Sequence, residues 1–269
     1  MRFEANVSIL FKEHPFVERF AAAKDAGFSA VEFWWPSGGN LKEIEEAIER
    51  SGLEVALLNF DAGDMAAGDR GLAGDPERYK EFLENVPVAL EFAQRVGCRR
   101  LNALLGHELP GRREEQLKLA AQNVRYAADE ARKRGLEVAV EAVNTFENGA
   151  FLLHTTAQGM KFVRRVGREN VGFQYDVYHM QRMEGNLIAN LRANIAGISH
   201  VQIADSPDRH EPGTGEINFA RVLAELEAAG YKGYVGLEYN PAGGDTLASL
   251  DWIPGASRSG DADLNSLGL

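Results

Sequence analysis

The chain has 269 residues, of which 45% are hydrophobic, and its formal net charge is −11 at pH 7. This length is long for one average domain but normal for a single α/β barrel, and no apolar run approaches the roughly 20 residues that span a membrane. The acidic balance opposes binding to nucleic acids and anionic membranes, which requires clustered lysine and arginine, whereas a small anionic substrate needs only one or two local cations.

Two features of the chain bear on its location and on thiol chemistry. The N-terminal segment MRFEANVSILF lacks the character of a signal peptide, because Glu4 and Asn6 interrupt its apolar residues and no small-residue cleavage site follows. A cytoplasmic location is therefore expected. Cys98 is the only cysteine, so no internal disulfide can form, and we interpret it as a small buried residue rather than a nucleophile.

Short apolar runs alternate along the chain with longer amphipathic ones. The predicted strands, in chain order, are residues 3–10, 30–35, 54–60, 99–106, 137–143, 171–177, 199–205 and 234–240. The predicted helices are residues 15–27, 40–52, 76–97, 113–135, 156–167, 186–197, 218–230 and 245–253. Most of these helices end in glycine, which suits the left-handed residue that follows a last helical turn, and Thr155 or Thr156 is a candidate N-cap.

Eight alternating strand–helix units predict an α/β protein of one domain, a (β/α)₈ TIM barrel. The alternative is an open doubly wound sheet, but such a sheet usually carries a glycine-rich phosphate turn after its first strand, and the segment ANVSILFKEHPF has none. The barrel is assigned to residues 1–254. Residues 255–269 are rich in Gly, Ser and Asp, so we expect a flexible C-terminal tail.

Oxygen-bearing side chains mark the ends of the last four predicted strands, where the function of such a barrel resides. They are Glu141, Asp176, Gln202 and Glu238. Each alone could be a solvated or loop-capping group, but three carboxylates brought together would take up protons unless a cation neutralised them. Because ligands that are all oxygen favour Mg²⁺ or Mn²⁺ over Zn²⁺, the pattern predicts a site for one of these two ions.

Other residues of the same rim are candidates for substrate contacts. His179 follows Asp176 in DVYH and could donate a hydrogen bond to a substrate hydroxyl, and Arg209 could bind an anion. His107, in the loop after the fourth strand, is a further candidate. Loop 59–76 contains four glycines and is either a mobile surface loop or an active-site lid.

Four motifs are together similar to the hydroxypyruvate isomerase family, within the xylose-isomerase-like TIM-barrel superfamily. They are EAVNTFE (141–147), QYDVYHMQRMEGNL (174–187), HVQIADSPDRHEPGTGEINF (200–219) and GYVGLEYNP (233–241). The resemblance runs over nearly the whole chain. It implies metal ligation by the same four residues that the strand ends indicate, and substrate contacts from Glu147, His179 and Arg209.

The resemblance also implies a reaction, the interconversion of hydroxypyruvate and tartronate semialdehyde. A proton leaves C3, an enediolate forms and a proton returns at C2, with Glu141 and Glu238 as the proton-transfer pair and Glu238 as the initial base. The related 2-oxo-tetronate isomerases share much of the pattern. The segment PDRHEP slightly favours them, whereas GTGEIN and YDVYHMQRMEG favour hydroxypyruvate isomerase. Sugar 3-epimerases are more distant, because they typically have His where this chain has Gln202.

Two other function classes remain to be weighed. A DNA-repair endonuclease on the same barrel would need a multi-zinc cluster and a basic face, which six histidines and a charge of −11 oppose. A barrel that binds a sugar acid without converting it would not need two proton-transfer groups. The expected partner is therefore a small hydroxy-oxo acid, without nucleic acid or membrane, and a homo-oligomer is expected only because barrel enzymes often form one.

Overall fold

The computed structural model describes all 269 residues. Eight parallel strands form a closed barrel, in which each strand pairs with the next and the last pairs with the first. The strands are β1 (Arg2–Asn6), β2 (Ala30–Phe33), β3 (Glu54–Asn59), β4 (Arg100–Ala103), β5 (Glu137–Glu141), β6 (Val171–Asp176), β7 (Ile198–Ile203) and β8 (Tyr234–Leu237). The predicted (β/α)₈ fold is confirmed.

Helices surround the barrel because the longer ones turn an apolar stripe towards the strands and a charged face towards solvent. They are α1 (Arg19–Asp25), α2 (Leu41–Ser51), α3 (Tyr79–Arg95), α4 (Arg113–Arg132), α5 (Thr145–Asn148), α6 (Thr156–Val166), α7 (Val177–Met183), α8 (Leu187–Asn194) and α9 (Phe219–Ala228). The short helices α5 and α7 follow β5 and β6 directly and were not predicted. None of the helices combines the length and apolar composition that a membrane crossing requires.

The chain after β8 differs from the prediction in two ways. The helix predicted over residues 245–253 is only a 3₁₀ turn, Ala248–Leu250, because Gly243, Gly244 and Pro254 confine it to a short segment. Residues 255–269, expected to be a flexible tail, instead lie against the N-terminal end of the barrel. There the Ala262 amide donates to the Met1 carbonyl at 2.7 Å, and the Leu267 side chain is buried.

Helix ends and the single cysteine follow the expected chemistry, with one exception. Thr155 is the N-cap of α6, and Gly52 and Gly167 end α2 and α6 in the left-handed conformation. Gly197 does not, since it lies in a 3₁₀ turn where a Cβ atom would approach the Met160 Cε atom to 2.3 Å. Cys98 is fully buried, and burial raises its pKa to about 12, so it is not a thiolate at neutral pH.

Candidate active site

Every strand of the barrel contributes a buried polar side chain at or near its C-terminal end. In strand order they are Asn6, Glu32, Asn59, Asn102, Glu141, Asp176, Gln202 and Glu238, none more than 6% exposed. The prediction used only the last four strands. The first four could have been found by the same signal, a polar residue at the C-terminal end of an apolar run, as in ALLNF and RLNALL.

A cavity of about 400 Å³ opens at this end of the barrel. Four of the predicted site residues line it: Glu141, His179, Arg209 and Glu238. Trp34 forms part of its wall, whereas Trp35 packs against Phe92 with ring centroids 6.1 Å apart. Asp176 and Gln202 are buried behind the lining side chains.

Arg209 connects two of the carboxylates. Its Nη2 atom lies 2.7 Å from Glu238 Oε2 and 3.6 Å from Asp176 Oδ2. The other Glu238 oxygen, Oε1, accepts hydrogen bonds from Trp34 Nε1 at 2.7 Å and Asn6 Nδ2 at 2.9 Å. Glu141 Oε2 accepts from Asn102 Nδ2 at 2.9 Å. The two proposed proton-transfer carboxylates are therefore held by donors from four different elements.

Burial governs the acidity of the three carboxylates. It raises the pKa of Glu238 to about 8, with Asp176 and Glu32 adding to the rise and Arg209 opposing it. Burial also raises the pKa of Glu141 well above its usual range, and the negative charges of Glu238 and Asp176 raise it further. The pKa of Asp176 rises for the same primary reason. The single guanidinium of Arg209 therefore does not neutralise the three carboxylates of this cluster.

The turn from β6 into α7 leaves one carboxylate oxygen unpaired. Asp176 is the N-cap of α7, and its Oδ1 atom accepts from the backbone amides of Tyr178 and His179. Its Oδ2 atom is buried and has no hydrogen-bond partner. Arg209 Nη2 lies 3.6 Å from this oxygen, beyond hydrogen-bond distance, and a buried carboxylate oxygen without a hydrogen bond is costly unless a cation approaches it more closely, so this atom fits a metal site.

His179 has a neutral ring whose Nε2 atom carries the proton. Asn144 Oδ1 caps α5, which turns Asn144 Nδ2 towards His179 Nδ1 at 2.8 Å. His179 Nδ1 must therefore accept, and its proton resides on Nε2, 3.5 Å from Asp176 Oδ2 and 3.8 Å from Glu141 Oε1. Burial, aided by Arg209, lowers the pKa of His179 well below its usual range, which keeps the ring neutral.

The loop between β7 and α9 is built around Asp205. Its carboxylate accepts hydrogen bonds from the backbone amides of Ser206, Gly213, Gly215 and Ile217. The backbone of Gly215 passes so close that a Cβ atom would lie 2.0 Å from the Ser206 carbonyl oxygen. The folded loop presents Arg209 in a left-handed conformation, φ 59°, which is rare for a residue with a side chain. The motif EPGTGEIN is thus explained by loop geometry.

Comparison with known proteins places the chain in a family. The sequence model described as xylose isomerase-like TIM barrel matches residues 20–255. The chain belongs to this family. It is 41% identical to the hydroxypyruvate isomerase of Escherichia coli (strain K12), over 94% of this chain and 98% of that protein. It is 38% identical to a 2-oxo-tetronate isomerase of Cupriavidus necator, over 94% and 97%.

A solved structure of the same fold carries a different name. The crystal structure of an AP endonuclease, family 2, from Brucella melitensis is 40% identical to this chain and matches it with a TM-score of 0.90, covering 94% of this chain and 97% of that one. The curated relatives of this family member are isomerases, so the chain is an enzyme of the isomerase kind. Its carboxylate and histidine clusters could hold a metal ion.

Two predicted substrate contacts do not reach the cavity. His107 Nε2 lies 3.0 Å from the Gly68 carbonyl oxygen of loop 59–76, so His107 contacts the loop and does not line the cavity. Glu147 also lies outside the lining, where it accepts a hydrogen bond from the Tyr178 hydroxyl. Both depend on how the loops after the strands fold, which strand-end positions do not specify.

A cationic residue that was not predicted does line the cavity. Arg70 belongs to loop 59–76, and its guanidinium donates to Asn148 Oδ1 at 2.8 Å and to the backbone carbonyls of Met65 and Asp69. These acceptors are all neutral, so the charge of Arg70 is not paired with a carboxylate. Met65 lines the cavity as well, which places loop 59–76 over the site in the position of a lid.

Proposed function

We propose that the protein is a hydroxypyruvate isomerase that interconverts hydroxypyruvate and tartronate semialdehyde. The observation that carries the proposal is the pair Glu141 and Glu238, two buried carboxylates of raised pKa that line one cavity. A proton must leave one substrate carbon and return to its neighbour, and a pair of such carboxylates suits both transfers. The 41% identity to a hydroxypyruvate isomerase supports the same reaction.

The cofactor of the proposal is Mg²⁺ or Mn²⁺. It would be held by Glu141, Asp176, Gln202 and Glu238, because the unpartnered Asp176 Oδ2 and the excess negative charge fit a divalent cation. When bound, the ion would stabilise the negative charge that develops on the two adjacent substrate oxygens. Gln202 Oε1 accepts one hydrogen bond, from Gln174, and retains a second lone pair for ligation.

The side chains of this protein carry the remaining roles. Glu238 takes the proton from C3 and Glu141 returns a proton at C2, because these two carboxylates line the cavity in which the substrate binds. His179 donates its Nε2 proton to a substrate oxygen. Arg209 and Arg70 are the two cations that line the cavity, and we assign the substrate carboxylate to them.

The second candidate is a 2-oxo-tetronate isomerase, because two such enzymes are 38% and 39% identical to this chain over nearly its whole length. A cavity of about 400 Å³ has room for a four-carbon acid as well as a three-carbon one. A nuclease is not favoured. The two clusters of at least three close ligand groups, Glu141–Asp176–His179 and Glu4–Glu32–His200, contain one histidine each.

The test follows substrate protons in D₂O. Protein stripped with EDTA is incubated with hydroxypyruvate, with and without Mg²⁺ or Mn²⁺, and the mixture is observed by NMR. We expect metal-dependent deuterium uptake and the appearance of tartronate semialdehyde. A Glu238→Gln variant should fold normally yet retain less than a tenth of the rate. Activity on 2-oxo-tetronate alone would select the second candidate.

A cytoplasmic location and a homo-oligomeric state complete the proposal, together with the absence of a nucleic-acid partner. Light scattering coupled to size-exclusion chromatography measures the oligomeric state. An electrophoretic mobility assay with duplex DNA should show no shift, because the chain carries a net charge of −11. A shifted complex, or cleavage of the duplex, would contradict the assignment.

A further inference from the structure

Glu32 lies inside the barrel, beneath the cavity, and no role has been assigned to it above. It is fully buried in β2, and its Oε1 atom accepts hydrogen bonds from Gln202 Nε2 at 2.7 Å and Asn6 Nδ2 at 2.9 Å. Its Oε2 atom lies 2.7 Å from His200 Nε2. Each oxygen of this carboxylate thus has a partner, which is required of a charge so far from solvent.

The barrel makes room for this carboxylate at one position. A Cβ atom on Gly236 of β8 would lie 2.7 Å from Glu32 Oε1 and 2.8 Å from both Glu32 Cδ and Glu32 Oε2. These distances are too short for any side chain, and the Glu32 carboxylate cannot retreat without losing its three donors. The Glu32 carboxylate is therefore closely packed on all sides and has no room for an alternative position.

The consequence for Gln202 is a fixed orientation of its amide. A glutamine amide has a donor end and an acceptor end, and only its oxygen can bind a metal ion. Glu32, as a carboxylate, accepts but does not donate, so Gln202 Nε2 must point towards it and Gln202 Oε1 must point away. There Gln202 Oε1 accepts from Gln174 Nε2 at 2.6 Å. Without Glu32, the Gln202 side chain alone does not select this orientation.

Glu32 is also connected to the proposed base. Asn6 Nδ2 lies 2.9 Å from both Glu32 Oε1 and Glu238 Oε1, so one amide nitrogen donates to the two carboxylates. We propose that Glu32 is the positioning residue of the metal site, which orients Gln202 directly and Glu238 through Asn6. This proposal rests on the proposed metal ligands. It does not make Glu32 a catalytic residue, since Glu32 does not line the cavity.

The test measures Mn²⁺ binding without substrate. Free Mn²⁺ is quantified by electron paramagnetic resonance for the wild type and for Glu32→Gln. The new amide can donate to Gln202, which lets the Gln202 amide turn its nitrogen towards the ion. We expect the Mn²⁺ Kd to rise about 10- to 100-fold, the usual effect of removing a residue that orients a metal ligand. The melting temperature is recorded for each variant.

A reciprocal exchange separates positioning from mere packing. In the double variant E32Q/Q202E, the donor lies on residue 32 and the acceptor on residue 202, so a carboxylate oxygen again faces the ion. We expect this variant to recover wild-type affinity within about threefold. If Glu32→Gln fails to fold, the double variant alone decides. A folded double variant whose Mn²⁺ Kd is about tenfold or more above that of the wild type would overturn the proposal.

Glu4→Gln is the matched control. Glu4 is equally buried, and its Oε1 atom lies 3.4 Å from the same His200, but it makes no hydrogen bond to Gln202 or Asn6. Burial raises the pKa of Glu4 well above its usual range, so an amide changes its charge little. Its Mn²⁺ Kd should stay within twofold of wild type. An unchanged Mn²⁺ Kd in Glu32→Gln would refute the positioning role of Glu32 and leave the proposed metal-dependent function unaffected. A wild-type protein that does not bind Mn²⁺ would refute both the positioning role and the proposed metal site.

Discussion

The stability of the metal-free protein should depend strongly on pH, with the highest stability on the acidic side. Glu238 has a folded-state pKa of about 8, against 4.5 for an ordinary glutamate. Between these values the folded chain holds a proton that the unfolded chain has released. The stability contributed by this proton is fully present below pH 4.5 and is lost as the pH rises through about 8.

The magnitude follows from the pKa difference. One pKa unit corresponds to about 1.4 kcal/mol, so the free energy of unfolding of the metal-free protein should fall by roughly 3 kcal/mol between pH 5 and pH 8 through Glu238 alone. Glu141 and Asp176, whose pKa values are also raised, act in the same direction. Groups of lowered pKa have the opposite sign. The contribution of carboxylates such as Asp69 is lost only below about pH 4, whereas that of His179 is lost as the pH falls below about 6.5, so His179 opposes part of the Glu238 effect between pH 5 and pH 6.5.

Urea unfolding in EDTA at pH 5, 6, 7 and 8 measures this dependence. Saturating Mn²⁺ should reverse the trend, because the ion binds the ionised carboxylates and its stabilisation grows with pH. Glu238→Gln is the control, since it removes one of the titrating protons and should make the metal-free curve less steep, while Glu141 and Asp176 retain their part of the slope. A metal-free wild type whose stability is constant or rises from pH 5 to pH 8 would refute this account of the cluster.

Three further outcomes are expected. Arg70→Met should raise the KM for hydroxypyruvate about 10- to 100-fold without changing the Mn²⁺ Kd, because it removes a charge-assisted hydrogen bond to the substrate but no metal ligand. An unchanged KM in steady-state assays would show that Arg70 does not bind the substrate. Asp205→Ala should lower kcat at least about tenfold, because four backbone amides lose their acceptor and the loop no longer holds Arg209 in place. Asp208→Ala, in the same loop, is the control and should leave kcat unchanged. Deleting residues 255–269 should lower the melting temperature by roughly 5 °C in calorimetry and spare kcat, because this segment packs at the opposite end of the barrel; equal stability of the shortened chain would contradict the packing seen here.

The strand ends of the second half of the barrel were predictable because ligand and strand are adjacent in sequence. The alternation of strands and helices predicts where β5 ends, and Glu141 lies at that end independently of how the other segments fold. Contacts made by barrel closure were not predictable in the same way. Glu32 meets Gln202 across 170 positions and Asn6 meets Glu238 across 232, and both depend on the pairing of β8 with β1.

The positions of loop side chains and of the tail could not be predicted for a related reason. His107 and Glu147 lie in segments after β4 and β5, where the direction of a side chain depends on contacts with other loops. The tail was judged by its Gly, Ser and Asp content, but a few apolar residues such as Leu267 are sufficient when a closed barrel offers a surface to pack against. The amino-acid composition of residues 255–269 describes the tail itself but carries no information about the barrel surface against which the tail packs.

Charge balance indicates where selectivity for an acid substrate resides. Three ionised carboxylates and Arg209 leave the cluster with two negative charges, which one divalent ion neutralises. A neutral sugar could then bind without further charge, but a substrate carboxylate adds one negative charge beside the site and needs another cation. Arg70 is the cavity cation whose charge no carboxylate pairs. We therefore expect loop 59–76, rather than the metal ligands, to determine that the substrate is an acid.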